Sequence, residues 1–409
     1  MPVEPDEPPQ AGARRSGRDR RIDVFRGLAL LTIFVDHVDG SPWSAFTLRE
    51  FGLVSALDVF VLLAGVSGFL AYGAHLRRGG DGLRRLGRRM GFVYAGHLLT
   101  VVLTVGLALS VDRLWPHVHA IKYFRVGTLV QDPGQVVPQV LLLHVVPWRC
   151  GVLPMYLVLL PTLPVIVWLV RRWRWLPVAL GVVLLVGATL WQWRFPWVWA
   201  KEPLAWFLVY AAGVTLAAWP RSQRPEGTAH RGMGRWKAGS WLTAVAVGWL
   251  VVMMLADAPW QAVPGLGGLS VPGLDVLVTS AWSPLIRPLG LAALVWLVIR
   301  WVPATAAWLE RPSARAVGQV GRHSLPMYVI GLLLADVASV VSVATRGSIV
   351  VTGALTMTGI AVLLAAARLW PDLRSARRPP VSVPHQRPAP VAAEAPGRPS
   401  ELATAPVES

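Results

Sequence analysis

The chain alternates long apolar runs with short polar breaks, and the runs share one length. Ten of them, at approximately 23–40, 54–74, 91–111, 152–170, 176–193, 203–219, 240–257, 283–301, 323–343 and 348–368, are close to the about twenty residues a helix needs to cross a hydrocarbon core. The pattern predicts an all-α fold: a polytopic integral membrane bundle of about ten transmembrane helices. Pro284, Arg287 and Pro288 interrupt the outer end of the eighth run. A further apolar run, 136–147, is too short to cross and reads as interfacial or re-entrant. It lies in the longest connection, 112–151, and connections of that length are usually functional.

The polar breaks orient the bundle. With the N-terminus in the cytoplasm, 29 Lys and Arg fall on that side and 9 on the other, with Arg26 inside the first run. Positive charge stays on the cytoplasmic side of multi-span proteins, so both termini belong there. This placement also explains the formal charge of +17 without a nucleic-acid partner. A content of 54% hydrophobic and 15% charged residues excludes an ordinary soluble domain. Residues 1–20 and 371–409 are Pro-rich and read as disordered cytoplasmic tails around a membrane domain at 21–370. The N-terminal stretch has no small-residue cleavage signature, so the first run is retained as a span. The single cysteine, Cys150, allows no internal disulfide and no multi-cysteine metal site, and no metal is expected. Most of the 21 Trp lie near run ends, where interfacial anchoring suits them; an outer cluster that includes Trp191, Trp193, Trp197 and Trp199 could also stack on sugar rings.

Candidate chemistry concentrates in the first run, RRIDVFRGLALLTIFVDHVDG, which carries Asp23, Arg26, Asp36 and His37. Arg26 and His37 are eleven residues apart, so on a helix they share one face, roughly 16 Å apart along the axis. Ionisable groups inside a span are costly and mark functional paths. His37 suits a general base, its tautomer set by adjacent Asp36 or by Asp58 of the second span; a structural His–Asp bond is the equal alternative. Arg26 suits a phosphate or carboxylate, or simply pairs with Asp23. Arg84, Arg85, Arg88 and Arg89 precede the third span as positive-inside charge or as phosphate ligands. His97 lies one turn into the third span. In GRHSLP, Gly321 to Pro326, Ser324 could cap the ninth span, and Arg322 and His323 could meet an anion at that helix start. Intramembrane Asp and His equally suit a proton-coupled transporter or flippase for an envelope precursor, and His37 with His97 could ligate haem.

The stretches RDRRIDVFRGLALLTIFVDH, FTLREFG, LDVFVLLAGVSGFLAYG, VYAGHLL, LPMYLVLLPTLPVIVWL and GRHSLPMYVIGLLL resemble, in order and spacing, the OpgC membrane proteins. That family's opening helix is similar to the acyltransferase type 3 group, marked by an Arg and a His separated by ten residues, here Arg26 and His37. The resemblance spans roughly residues 18–370. It implies a multi-pass enzyme of a bacterial-type cytoplasmic membrane that adds acyl groups, succinyl in the named case, to a glucan or other cell-envelope glycan on the outer side. The implied donor is an acyl-coenzyme A thioester from the cytoplasm, with no tightly bound cofactor. It implies catalysis for His37 and donor binding for Arg26, and Asp23, Asp36, His97, Arg322, His323 and Ser324 match further positions of the family pattern. The chain departs from that pattern at Asp58, where Glu is usual, and at Lys201-Glu202-Pro203 with Trp206-Phe207, where an Asn-Pro and a Trp-Gln are usual.

Overall fold

The computed structural model describes residues 19–49, 54–76, 80–147, 149–191, 198–219, 233–256, 273 and 283–375. Most of both tails, and Trp193 and Trp197 of the outer Trp cluster, lie outside the described residues. Residues 1–370 form one compact unit and 371–409 a second. The described residues contain no strand.

Each apolar run is helical, and the run 152–170 is two helices in succession. The principal helices are α1 (Arg20–His37), α2 (Ala56–Leu76), α3 (Gly80–Leu114), α4 (Pro133–Leu141), α5 (Val152–Leu159), α6 (Leu163–Arg172), α7 (Leu176–Trp191), α8 (Val198–Ala218), α9 (Met233–Ala256), α10 (Ser283–Trp301), α11 (Pro312–Arg322), α12 (Ser324–Ala344) and α13 (Ile349–Ser375). A 3-10 turn at Leu160–Thr162 joins α5 to α6. Among the described residues, six stretches are long and apolar enough to cross a membrane: α2, α3, Val152–Arg172, part of α9, α12 and part of α13. α1 falls outside that set because of its charges, and α7 is too short.

Two expectations change. Residues 80–90 are not loop: α3 starts at Gly80 and runs 35 residues, roughly 50 Å. Its first turns are amphipathic, with Leu86 buried while Arg84, Arg85 and Arg88 are exposed, so the Arg cluster sits on helix. Ser324 does not cap α12. His323 holds the N-cap position, without a side-chain cap bond, and Ser324 is the first helical residue.

One bond places the short run near 136–147 against α3. Tyr94 Oη donates to the Leu141 carbonyl, 2.9 Å. Tyr94 lies 20 residues before the end of α3 at Leu114, about 30 Å along the helix. The connection that leaves α3 at Leu114 therefore folds back beside that helix. The chain then returns through Leu143 and Arg149, both with positive φ, to the start of α5.

α1 is held against α2, α11 and α12. Glycines make these approaches possible. A Cβ on Gly27 of α1 would lie 2.0 Å from the Val317 carbonyl oxygen, and one on Gly321 of α11 would lie 1.9 Å from that of Asp23. Small residues let backbones touch in a medium where apolar burial alone does not drive helices together. Leu30, Ile33 and Phe34 then complete the α1 contribution to a core shared with Val61, Leu163 and Tyr210.

Gly27→Leu should lower the thermal midpoint of the purified protein. Overpacking of this kind costs about 1–3 kcal/mol or more, and Leu28→Ala on the exposed neighbour should shift the midpoint far less.

Candidate active site

The helix α1 places its charged groups at two ends of the bundle. At the first, the α1 N-terminus, Asp23 is buried and accepts from Arg322 Nε of α11, 3.3 Å. A cavity of about 370 Å3 opens there between α1 and α11, lined by Arg20, Asp23, Glu310, Arg315, Gln319 and Arg322. Arg20 pairs with Glu310. Three guanidiniums against two carboxylates leave this cavity net positive, suited to an anionic ligand. Arg26 reaches across to α2, where its Nη2 donates to the Leu63 carbonyl, 3.0 Å, and to Ser67 Oγ. Arg88 is exposed and Arg89 half-buried on α3, and neither lines this cavity.

At the second end stands His37, half-buried, in the last turn of α1. Its Nδ1 lies 2.6 Å from the Ile33 carbonyl oxygen one turn back. A carbonyl only accepts, so Nδ1 carries the proton and Nε2 of the neutral ring keeps its lone pair. The tautomer is therefore set by the backbone of α1, and this corrects the expectation that Asp36 or Asp58 sets it. Asp36 is one residue back, about 100° round the helix, on the face of Phe25, Ala29 and Thr32. That face lines a separate apolar cavity of about 710 Å3 between α1, α2 and α10.

Asp58 has another partner. Its Oδ2 accepts from Ser55 N, 2.7 Å, and Ser55 Oγ, 2.8 Å, while Ser55 Oγ accepts from Asp58 N, 3.2 Å. This reciprocal arrangement is a capping box that starts α2. Its sequence signal, Ser-x-x-Asp before an apolar run, is legible in Ser55-Ala-Leu-Asp58.

His97 does not join His37. It is fully buried on α3, with neither ring nitrogen hydrogen-bonded to a described residue. Gly96, its neighbour, faces Leu325 of α12, whereas the His37 carbonyl oxygen accepts from Ser339 Oγ. Leu325 and Ser339 are 14 residues apart, about 21 Å along α12. The pair therefore cannot ligate one haem. His323 is half-buried at the joint between α11 and α12, near the Arg322 end.

Around His37 lies a network that the sequence reading missed. Ser339 Oγ accepts from Asp39 N, 3.1 Å, while it meets the His37 carbonyl, 3.3 Å. Arg149, from the end of the same connection, has only 7% of its side chain exposed. It pairs with Asp39 Oδ2 at 2.6 Å and Asp336 Oδ1 at 3.5 Å, and donates to Ser339 Oγ at 3.2 Å. Thr104 Oγ1 donates to Asp336 Oδ2, 2.8 Å. Tyr123 Oη donates to Asp39 Oδ2, and the Arg149 guanidinium lies 5.8 Å from the centre of the Tyr123 ring. Asp336 was findable, as a lone carboxylate inside an apolar run. Arg149 was not, because nothing in a loop sequence says it turns inward.

Burial pushes the Cys150 thiol up to about 12, so it stays protonated and is a poor nucleophile near neutral pH. Burial first, and then the hydrogen bond to Asp39, push Tyr123 up to about 12.

Two measurements follow from these contacts. Asp58→Ala should cost about 1 kcal/mol of stability, as loss of a helix cap does, while activity per folded molecule stays close to wild type. For Tyr123, folding holds a proton that the unfolded phenol releases near 10. Its contribution is therefore whole below pH 10 and is lost as pH climbs toward 12. The thermal midpoint should fall across that window more steeply in the wild type than in Tyr123→Phe.

No curated protein and no solved structure matches the chain. The family model described as OpgC protein matches residues 18–374. That match takes in α1 to α12 and nearly all of α13, and the chain belongs to the OpgC protein family.

Proposed function

We infer that the protein is a membrane O-acyltransferase that moves an acyl group, such as succinyl or acetyl, from a cytoplasmic thioester donor to a hydroxyl of an extracytoplasmic glucan. Family membership supports the reaction class. The observation that carries it is the His37 imidazole, whose Nδ1 is committed to Ile33 and whose Nε2 is left as an acceptor. A base in this state takes the proton of an attacking hydroxyl without first having to change tautomer.

The excess of Lys and Arg supports an orientation with the Arg322 end in the cytoplasm and the His37 end toward the outside, in a bundle of about ten spans in a bacterial-type cytoplasmic membrane. The charged part of acyl-coenzyme A then sits at the cavity of Arg20, Arg315 and Arg322, with Asp23 holding Arg322 in place. Arg26 lies between this cavity and His37, beside the route of the thioester arm. The roughly 16 Å between Arg26 and His37 requires a donor with a long arm, which acyl-coenzyme A has.

The chemistry balances as follows. His37 Nε2 takes the hydroxyl proton as the sugar oxygen attacks the thioester carbonyl. The tetrahedral oxyanion collapses, the carbon–sulfur bond breaks, and the imidazolium returns its proton to the departing thiolate. The products are a glycan ester and a free thiol.

In proteoliposomes given acyl-coenzyme A on the cytoplasmic face and glucan on the other, wild-type protein should esterify the glucan. His37→Ala should lose about 100-fold or more of that rate, the usual contribution of a general base, at unchanged expression. Normal transfer by a folded His37→Ala protein would remove the catalytic assignment.

A further inference from the structure

Two residues beyond His37 the chain presents a carboxylate whose surroundings differ from those of the buried acids. Asp39 is 54% exposed in its side chain, in the turn that Gly40 makes with φ +74. Its Oδ2 takes both polar contacts, from Arg149 and from Tyr123 Oη. Oδ1 has no hydrogen bond from a described residue.

The carboxylate is held rigidly relative to the base. Ser339 Oγ grips the backbone on both sides of Val38, at the His37 carbonyl and the Asp39 N–H. Arg149 is anchored from behind by buried Asp336. A ligand atom held on Asp39 is thus held at a fixed offset from the His37 helix end, and such preorganisation reduces the entropy lost on binding.

The open oxygen selects the ligand. Oδ2 of Asp39 is taken by Arg149 and Tyr123, and Oδ1 is a carboxylate acceptor that suits hydrogen-bond donors. Just beyond Asp39, the 3-10 turn Pro42–Phe46 carries Trp43, 42% exposed, with its indole N–H fixed on the Gly353 carbonyl, 3.1 Å. An acceptor carboxylate with a fixed, part-exposed indole nearby matches a sugar ring, which offers hydroxyl donors at its edge and C–H groups on its face.

We propose that Asp39, backed by Arg149 and Tyr123 and with Trp43 four residues further along the chain, is the carbohydrate-acceptor subsite: Asp39 Oδ1 takes a hydrogen bond from a sugar hydroxyl neighbouring the one that is acylated. This rests on the acyltransferase reading for its place in the reaction, but the binding is testable without it.

Binding of a linear glucan oligosaccharide to full-length protein in detergent, without acyl donor, is measured calorimetrically for wild type, Asp39→Asn and Asp39→Glu. A hydrogen bond to a charged group predicts about tenfold or more weaker binding in Asp39→Asn. Asp39→Glu keeps the charge for Arg149 but moves the oxygen; it should fold and also bind weakly, and it carries the test if Asp39→Asn does not fold. In the transfer assay the KM for glucan should rise with little change in the KM for acyl-coenzyme A or in thioester hydrolysis by water. Equal binding by a folded variant, or no binding by the wild type, overturns the subsite. Glucan binding that depends on Asp39 in a protein that transfers no acyl group overturns only the reaction.

Discussion

A charge carried into an apolar bundle must be met by an opposite charge or a hydrogen bond, because desolvation costs several kcal/mol per ion. The position of α1 depends on this constraint. Asp23 is met by Arg322 of α11, Arg26 by Ser67 and a carbonyl of α2, and the peptide between His37 and Asp39 by Ser339 of α12. Each tie goes to a different helix. α1 is therefore pinned along its whole length, where apolar packing alone would permit rotation or sliding.

The close backbone approach at Gly27 and Gly321 belongs to the same design. Polar side chains can span between helices only when the axes are near, and glycine permits this by removing the side chain that would hold α11 away. Held in this way, α1 separates a cationic cavity at one end from the His37 imidazole at the other. That separation suits a reaction whose donor and acceptor approach from opposite sides.

The connection 112–151 completes the His37 end from outside the helix bundle. After folding back as deep as Tyr94, it returns with Arg149 turned inward between Asp39 and Asp336. A buried guanidinium satisfied by two carboxylates, a hydroxyl and an aromatic face is costly to disturb, and it ties a loop residue to the same backbone that Ser339 grips. The long connection is thus fixed to the C-terminal end of α1.

The helical class, the runs and the unusual chemistry of α1 were legible in the sequence, because apolar length and misplaced charge are local properties. The capping box at Ser55 and Asp58 is equally local. Only the tertiary structure decided which charge meets which. His37 takes its tautomer from its own helix backbone, Asp23 turns to Arg322, His97 lies about 21 Å from His37 along α12, and Arg149 closes on Asp39 and Asp336. These pairings join residues up to 299 positions apart. They depend on how helices rotate and approach one another, and no periodicity within a single helix records that.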